Sequence, residues 1–315
     1  MPQFSSAQGA ITVDALTDSI DKSIDILFER RNEFVGDLNV FFDVDTKTGG
    51  LNHVISSVGS SLSLPPENAD TEPLPYFTPA AGPRKSFTLV SYRSGIRITS
   101  TSILSDRHDV IINTALGQMK SGFRKDEYLR ASIFNNAFSG SGGADGENLC
   151  SASHPNENIE TGTWDNVQTD LFDAEALQAL RLLGAEMTDE QGDPDPLNAK
   201  WLLVPPALEQ AALEATQFGD APRTKPGEAN NDPNVLINQL QVVTSPYLTT
   251  TSQYFIIGDR EGPSKGLHEI VLQDWNLADN NPANADIKID KRIKAVKTFG
   301  FTVSRNVLGS DATGS

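Results

Sequence analysis

The sequence predicts an α+β fold, and three of its stretches carry that prediction. Residues 106–138 hold the longest helical pattern, and residues 170–262 alternate between helical and extended patterns. Residues 286–303 alternate between apolar and polar side chains, as a half-buried strand does. With 315 residues, of which 38% are hydrophobic and 21% charged, the chain has enough apolar material for one large domain or two ordinary ones.

The charge and cysteine content exclude several classes of protein. The formal net charge is -17, from 42 acidic and 25 basic residues, whereas tight nucleic-acid binders normally carry a basic excess. Cys150 is the only cysteine, so an intrachain disulfide framework is excluded. Residues 1–20 lack the basic and apolar regions of a secretory signal. No apolar run approaches the roughly 20 residues that span a bilayer, so we expect no membrane partner.

The N-terminal part of the chain predicts an arm followed by a hairpin. A partly periodic apolar pattern over 18–35 predicts a helix, and 56–70, rich in serine and proline, predicts an irregular connection. Residues 71–100 predict a long polar hairpin, with extended runs on both sides of a turn-rich centre at 79–83. Because such a strand pair buries little apolar surface by itself, we expect it to lie on another surface.

A long helix and a mixed region follow the hairpin. Asp106 is a candidate N-cap for the helix, and the glycine-rich run 139–146 ends it. In the mixed region, Asp170 or Asp173 is expected to cap a helix that carries Leu177 and Leu180 on its apolar face. The other elements predicted there are a buried strand at 201–204, a helix at 208–216 opened by Pro205 and Pro206, and short strands at 240–244 and 254–257.

The tail predicts a long half-buried strand system, either one strand or two with a bend. Its apolar residues, among them Ile287, Ile289 and Ile293, occupy alternate positions and so lie on one face of a strand. Lys291 and Lys297 fall at positions of the same set and interrupt the pattern. The pair Gln273–Asp274, just before this region, is predicted to form a turn.

A search for catalytic or metal-binding patterns predicts no catalytic, cofactor or metal site. Cys150 and His154 lie four residues apart in a predicted loop, but a zinc site needs about four ligands and no second pair is present. We therefore interpret them as part of a turn with a half-buried thiol. The acidic loop 189–195 lacks the alternating carboxylates and closing glutamate of a calcium-binding EF-hand. Phosphate-loop, dinucleotide and nucleophile-elbow motifs are also missing from the sequence.

Several stretches resemble one family when they are taken in order. Residues 95–106 are similar to the run from an extended loop into a spine helix. Residues 149–155 are similar to the short segment that follows the spine helix, and they are close to that segment in phage Mu-like head subunits. Residues 201–209 are similar to a recurrent strand and helix with a Val-Pro-x-x-Leu run. Residues 243–248 and 254–259 are similar to the strands that follow. The chain thus resembles the major capsid proteins of tailed bacteriophages, which have the Hong Kong 97 type fold.

The resemblance implies a domain order and a function. The implied domains are an N-terminal arm at 1–62, an extended loop at 63–104, a peripheral domain with the spine helix at 105–165, an axial domain at 166–262 and returning strands of the peripheral domain at 263–315. The implied function is a structural shell subunit without enzymatic activity. Its copies form hexamers and pentamers of an icosahedral virion shell that encloses double-stranded DNA without sequence-specific binding.

The resemblance also implies partners and contact residues. A portal protein is the expected partner, and assembly is expected in the host bacterial cytoplasm. Decoration proteins are further candidates, and either a separate scaffolding protein or none is expected. The extended loop is expected to lie across a neighbouring subunit, so that its residues contact another copy. The candidates are Arg84, Lys85, Phe87, Tyr92 and Arg93. Lys85 is expected near the loop tip but without a covalent crosslink, since no acceptor asparagine can be aligned.

Three other interpretations remain open from the sequence. An encapsulin-like compartment would share the fold and hold enzyme cargo, and the helical pattern at 18–35 is compatible with it. A soluble α/β enzyme with an unrecognised site would be a monomer or small oligomer with a pocket of titratable groups. A decoration or tail component of a virion is typically shorter or mostly β, so the long helix disfavours it.

Overall fold

The elements below come from a computed structural model of the chain. The residues it describes are 21–26, 36–58, 81–105, 109–140, 142–155, 162–188, 194–217, 239–279 and 287–314. They divide between two compact units, the first from Met1–Gly36, Val90–Asp126 and Leu272–Lys297 and the second from Asp37–Leu89, Glu127–Val271 and Thr298–Ser315. Among the described residues, no helix combines the length and the apolar character needed to cross a membrane.

The helices and strands have the following bounds. The α-helices are α1 (Ser100–Ser105), α2 (Asp109–Asn135), α3 (Ala174–Ala185) and α4 (Glu209–Gln217), and short 3-10 helices lie at Asp37–Phe41, Pro206–Leu208 and Gly262–Lys265. The strands are β1 (Asp43–Thr46), β2 (Asn52–Val58), β3 (Ala81–Thr88), β4 (Val90–Thr99), β5 (His154–Pro155), β6 (Thr163–Trp164), β7 (Val167–Gln168), β8 (Ala199–Val204), β9 (Gln241–Thr244), β10 (Tyr254–Gly258), β11 (Leu267–Asp279), β12 (Ile287–Phe301) and β13 (Val307–Ser310). Residues 21–26 are also helical.

The first unit is built around the antiparallel pair β4 and β12. In the sheet order β1-β11-β12-β4, strand β4 stands at an edge. Trp275, Ile293 and Ala295 form a buried cluster in this unit, with Tyr92 and Phe123 packed against it. A Cβ atom at Gly122 of α2 would lie 3.1 Å from the Trp275 ring, so the glycine lets helix and strand approach closely.

The tail is a single strand in the structure, which decides between the two arrangements left open by the sequence. Strand β12 runs over Ile287–Phe301, and Ile289 and Ile293 are buried as predicted. Lys291 and Lys297 do not interrupt its pattern, because they lie on the same buried face and are only 4% and 2% exposed. They tolerate burial because aspartate carboxylates accept hydrogen bonds from their ammonium groups and balance the positive charge.

The second unit contains a mixed sheet of order β7-β13-β10-β8-β9, with α3 and α4 contributing to its core. The predicted cap of α3 is confirmed, since the Asp173 side chain accepts a hydrogen bond from the Ala176 N–H at 2.6 Å. Leu177 and Leu180 are completely buried. The predicted strands at 201–204, 240–244 and 254–257 correspond to β8, β9 and β10, and the predicted helix after Pro205–Pro206 corresponds to α4 and its 3-10 entry.

Two expectations about strands are wrong. Strand β3 pairs with β2 in the register Ile55↔Lys85, so the predicted turn at 79–83 overlaps the start of a strand and the partner lies N-terminal to it. The described side chains of β2 are exposed or half-buried, and its neighbouring apolar residues Val54 and Ile55 do not alternate with polar ones, so the sequence gives no strand pattern there. Gln273 and Asp274 lie within β11 and not in a turn, because burial of the neighbouring Trp275 keeps the chain extended.

Some predicted features fall wholly or partly outside the described residues. These are the Asp106 cap, most of the helix at 18–35, most of the acidic loop at 189–195, residues 59–70 of the irregular connection and residues 71–80 of the hairpin. The first three residues of that connection, 56–58, belong to strand β2 and are not irregular. The long helix itself is confirmed as α2, which ends at Asn135, followed by turns through the glycine-rich segment.

Buried Asn166 connects three parts of the second unit. Its Nδ2 donates to the carbonyls of Leu149 at 2.8 Å and Val307 at 2.9 Å, and its Oδ1 accepts from the Ser151 N–H at 2.9 Å. The same oxygen lies 3.1 Å from Nε2 of His154. His154 is completely buried, stacked on Trp164 at 4.3 Å between ring centroids. Cys150 is 2% exposed, so the half-buried thiol expected from the sequence is wrong, and core packing surrounds it.

We expect Asn166→Asp to lower the free energy of unfolding by about 3 kcal/mol, measured by urea denaturation. The substitution preserves shape but points a carboxylate oxygen at the carbonyls that accept hydrogen bonds from the Asn166 amide. Asn148→Asp is the control, because Asn148 makes a single such bond, to the Phe138 carbonyl at 3.1 Å. Equal destabilisation of both variants would contradict the importance assigned to Asn166.

Candidate functional site

The five contact residues predicted from the sequence fall into two groups. Arg84, Lys85 and Phe87 lie on β3 in the second unit, and Tyr92 and Arg93 lie on β4 in the first. The structure places the side chains of Lys85, Phe87 and Tyr92 against their own chain, whereas Arg84 and Arg93 are exposed. The contact role of all five stays a prediction, and the geometry favours the two exposed arginines for it.

Lys85 lies in a half-buried aromatic pocket of its own chain. Its Nζ donates to the Phe301 carbonyl at 2.8 Å, and it stands 4.6 Å from the Phe301 ring centroid and 5.1 Å from that of Phe87. Burial lowers the pKa of the Lys85 amine to about 8, and the negative charge of Asp145 opposes that shift only in part. The amine thus loses its proton more readily than an ordinary lysine, and its hydrogen bond to Phe301 links β3 to the end of β12.

We expect the Lys85 amine to titrate with a midpoint near 8, measured by NMR of ¹³C-dimethylated lysines on the dissociated subunit. Because the pKa is lowered in the folded state, the neutral amine favours folding. Stability should therefore rise as the pH increases from about 8 towards the ordinary lysine pKa of 10.5. Lys85→Met assigns the resonance and should remove this rise. A midpoint near 10 would contradict the burial seen here.

Phe87 and Tyr92 have structural roles within the chain. Phe87 is 5% exposed, with its ring against Gly300, where an added Cβ would lie 2.5 Å from the ring, and edge-on to His268. Burial, and secondarily the charge of Asp126, raises the pKa of the Tyr92 hydroxyl. Both side chains are thus used by the subunit itself before any partner is present.

Arg93 belongs to a basic surface that was not predicted from the sequence. Cross-strand partners share one face of a sheet, and Arg93 is opposite Lys294 while Gly95 is opposite Arg292. Arg97 lies on the same face, with its side chain 66% exposed and Nε 3.1 Å from Asp290. We call Arg93, Arg97, Arg292 and Lys294 the basic face. The sequence does contain a signal for this face. Polar residues alternate with apolar ones in the tail, which places Arg292 and Lys294 together on the side of the strand opposite the isoleucines.

The described residues offer little for catalysis. Within them, no group of three or more histidine, cysteine or acidic side chains could hold a metal ion. Burial raises the pKa of the Cys150 thiol, so the nucleophilic thiolate is disfavoured. An open cleft beside α3 is lined by Asp170, Asp173 and Glu175, a group of like charges at the start of one helix.

Comparison with known proteins gives one family and several solved structures. A family model described as phage capsid protein matches residues 83–309. The capsid of cyanophage P-SCSP1u is similar with a TM-score of 0.53 and 10% identity, over 86% of each chain. A virus-like particle from Pyrococcus furiosus is similar with a TM-score of 0.51 and 11% identity, over 92% of this chain and 98% of the other. The bacteriophage JBD30 capsid decorated with minor capsid protein trimers is similar with a TM-score of 0.52 and 13% identity, over 68% of this chain and 91% of the other. No curated protein sequence matches the chain.

Proposed function

Because this chain belongs to the phage capsid protein family, we propose that its copies assemble as hexamers and pentamers into a closed icosahedral head around double-stranded DNA. Its role as a structural capsid protein follows from the family. The single observation that carries the finer proposal is the extent of the family match, which covers residues 83–309 and thus includes strands and helices of both units.

The domain order implied by the resemblance remains part of this proposal. An axial domain at 166–262 is supported by α3, α4 and strands β8, β9 and β10, which all lie within it. A spine helix in a peripheral domain at 105–165 is supported by α2. An extended loop at 63–104 is supported by β3, and the pairing of β3 with β2 extends the hairpin into the segment assigned to the arm at 1–62. Strands β11 and β12 suit the returning part at 263–315.

The remaining parts of the function concern partners and location. We propose a portal protein and a scaffolding protein as partners during assembly in the bacterial cytoplasm. The similar JBD30 capsid is decorated with minor capsid protein trimers, which supports decoration proteins as further partners. We also propose that the chain has no enzymatic activity. A net charge of -17 suits a container for DNA, because weak repulsion of the phosphates leaves DNA free to be packed and released.

The test is assembly of the purified full chain, followed by light scattering, size-exclusion chromatography and negative-stain electron microscopy. Rings of five or six copies or closed shells support the proposal. Shells that copurify with a host enzyme favour an encapsulin-like compartment. A chain that stays monomeric even with its scaffolding protein overturns the proposal and favours the search for an enzyme site.

Arg84 offers a point variant for the same test. It is exposed on β3 opposite Ser56, so Arg84→Glu should weaken a hairpin contact with a neighbouring copy. Arg181→Glu makes the same change of charge at a half-buried position of α3 and serves as the control. Equal assembly of the two variants removes Arg84 from the contact residues.

A further inference from the structure

We propose that the basic face of β4 and β12 docks against an acidic surface of a second copy of this chain. The inference rests on the proposed function, because only a multi-copy shell brings such a surface close. It assigns a contact to Arg292 and Lys294, which the sequence did not suggest, and it gives Arg93 a defined set of neighbours.

The geometry of the face concentrates positive charge. Adjacent strands lie about 4.8 Å apart and alternate residues along a strand about 6.8 Å apart, so the four cations occupy one small area. Arg93 and Arg292 are exposed, Arg97 is mostly exposed and Lys294 is half-buried. Strand β4 is at the edge of its sheet, so no further strand of the described sheet lies beyond it.

The arrangement is unfavourable for the isolated subunit. Arg93 and Lys294 are directly opposite each other, and like charges in that position destabilise a strand pair. Among the described residues of β4 and β12, the carboxylate on this face is Asp290, and it pairs with Arg97. No described carboxylate forms an ion pair with Arg93, Arg292 or Lys294. A partner that brings negative charge would relieve this repulsion.

Charge complementarity favours a second copy as that partner. Each copy carries a net charge of -17, although this face is basic, so the rest of its surface is more acidic still. In a shell every subunit is surrounded by such surfaces at very high local concentration. Asp290 among the cations fits a protein surface with discrete charges of both signs better than a uniformly anionic DNA backbone. DNA is therefore the competing occupant that the experiment must distinguish.

The test compares two double variants of the full chain in the assembly assay. Arg292→Glu with Lys294→Glu reverses the centre of the basic face. Arg124→Glu with Arg181→Glu makes the same change in formal charge at an exposed position of α2 and a half-buried one of α3. Thermal unfolding of the dissociated subunits establishes that both doubles fold.

We expect the face variant to assemble at least about tenfold more slowly than the control variant at low ionic strength. Salt should slow wild-type assembly by screening the attraction, whereas it should speed the face variant by screening the new repulsion. The control variant should follow the wild type. This reversed salt dependence distinguishes a lost ionic contact from general loss of stability.

Three results would overturn the inference. If the face variant assembles like the control, the face is not a subunit contact, although the proposed function stands. If assembly is unaffected but dissociated wild-type subunits bind a duplex of roughly 30 base pairs and the face variant does not, the partner is DNA. If the wild type fails to assemble under every condition, with scaffolding protein included, the proposed function fails and this inference with it.

Discussion

Replacing Lys297 by methionine should lower the free energy of unfolding by about 3–5 kcal/mol, because it leaves carboxylates near a buried site without their cation. Lys297 is 2% exposed, and its Nζ lies 2.8 Å from Asp126 Oδ2 and 3.0 Å from Asp274 Oδ1. Asp274 is half exposed and can be solvated, but the Asp126 side chain is only 6% exposed. The Trp275 Nε1–H, at 2.8 Å, would remain as a neutral donor to Asp126 and cannot replace a full charge.

The measurement is equilibrium unfolding of the dissociated subunit in urea. Lys294→Met is the matched control, because Lys294 is three residues away on the same strand and half-buried on the opposite face. We expect that control to stay within about 1 kcal/mol of the wild type. Adding Asp126→Asn to Lys297→Met should recover part of the loss. Similar stability of both lysine variants would show that the buried ion pair contributes little.

The second large effect is expected at Arg130, in the other unit. Arg130 Nη2 donates to Glu269 Oε2 at 2.6 Å, and Nη1 donates to Glu127 Oε1. The three side chains are almost completely buried, and the guanidinium also lies 5.5 Å from the Phe299 ring centroid. Arg130→Met removes the cation between two carboxylates and should cost about 3–5 kcal/mol of unfolding free energy. Arg124→Met, at an exposed position of the same helix, is the control.

The cost at Arg130 should depend on pH. Burial raises the pKa of the Glu127 carboxyl, while Arg130 opposes that shift, so removing Arg130 should raise this pKa further. A carboxyl with a raised folded-state pKa favours folding while it is protonated, and this stability is lost as the pH rises through that pKa. The deficit of Arg130→Met should therefore be smaller at pH 5 than at pH 8. Adding Glu127→Gln should reduce this difference, and a pH-independent deficit would contradict the mechanism.

The sequence predicted those elements that bury an apolar stripe or use a recognisable cap. Helix α3 has both, with Asp173 at its start and Leu177 and Leu180 inside. Strand β2 has neither, since exposed Val54 and half-buried Ile55 are neighbours and give no alternation of apolar and polar residues. Its pairing with β3 uses backbone groups that every residue but proline carries. Local patterns alone therefore could not identify β2.

The lysines on β12 show that a residue's place in the strand alternation predicts its burial better than its residue type does. Lys291 and Lys297 share the parity of Ile289 and Ile293, and only aspartates distant in sequence make their burial possible. The candidate contact residues show the same limit. Lys85 and Arg84 are neighbours in a polar run, yet one faces an aromatic pocket and the other solvent, which tertiary packing decides.

The inaccessible thiol of Cys150 makes the subunit well suited to site-specific chemistry. It is the chain's only cysteine, it is 2% exposed, and burial raises its pKa, so alkylating reagents should scarcely modify the folded protein. A cysteine introduced at exposed Arg84 or Arg93 would then be the one reactive thiol in each copy, without prior removal of a native one. A fluorophore or a short bifunctional linker at that position would report which surfaces meet between neighbouring copies.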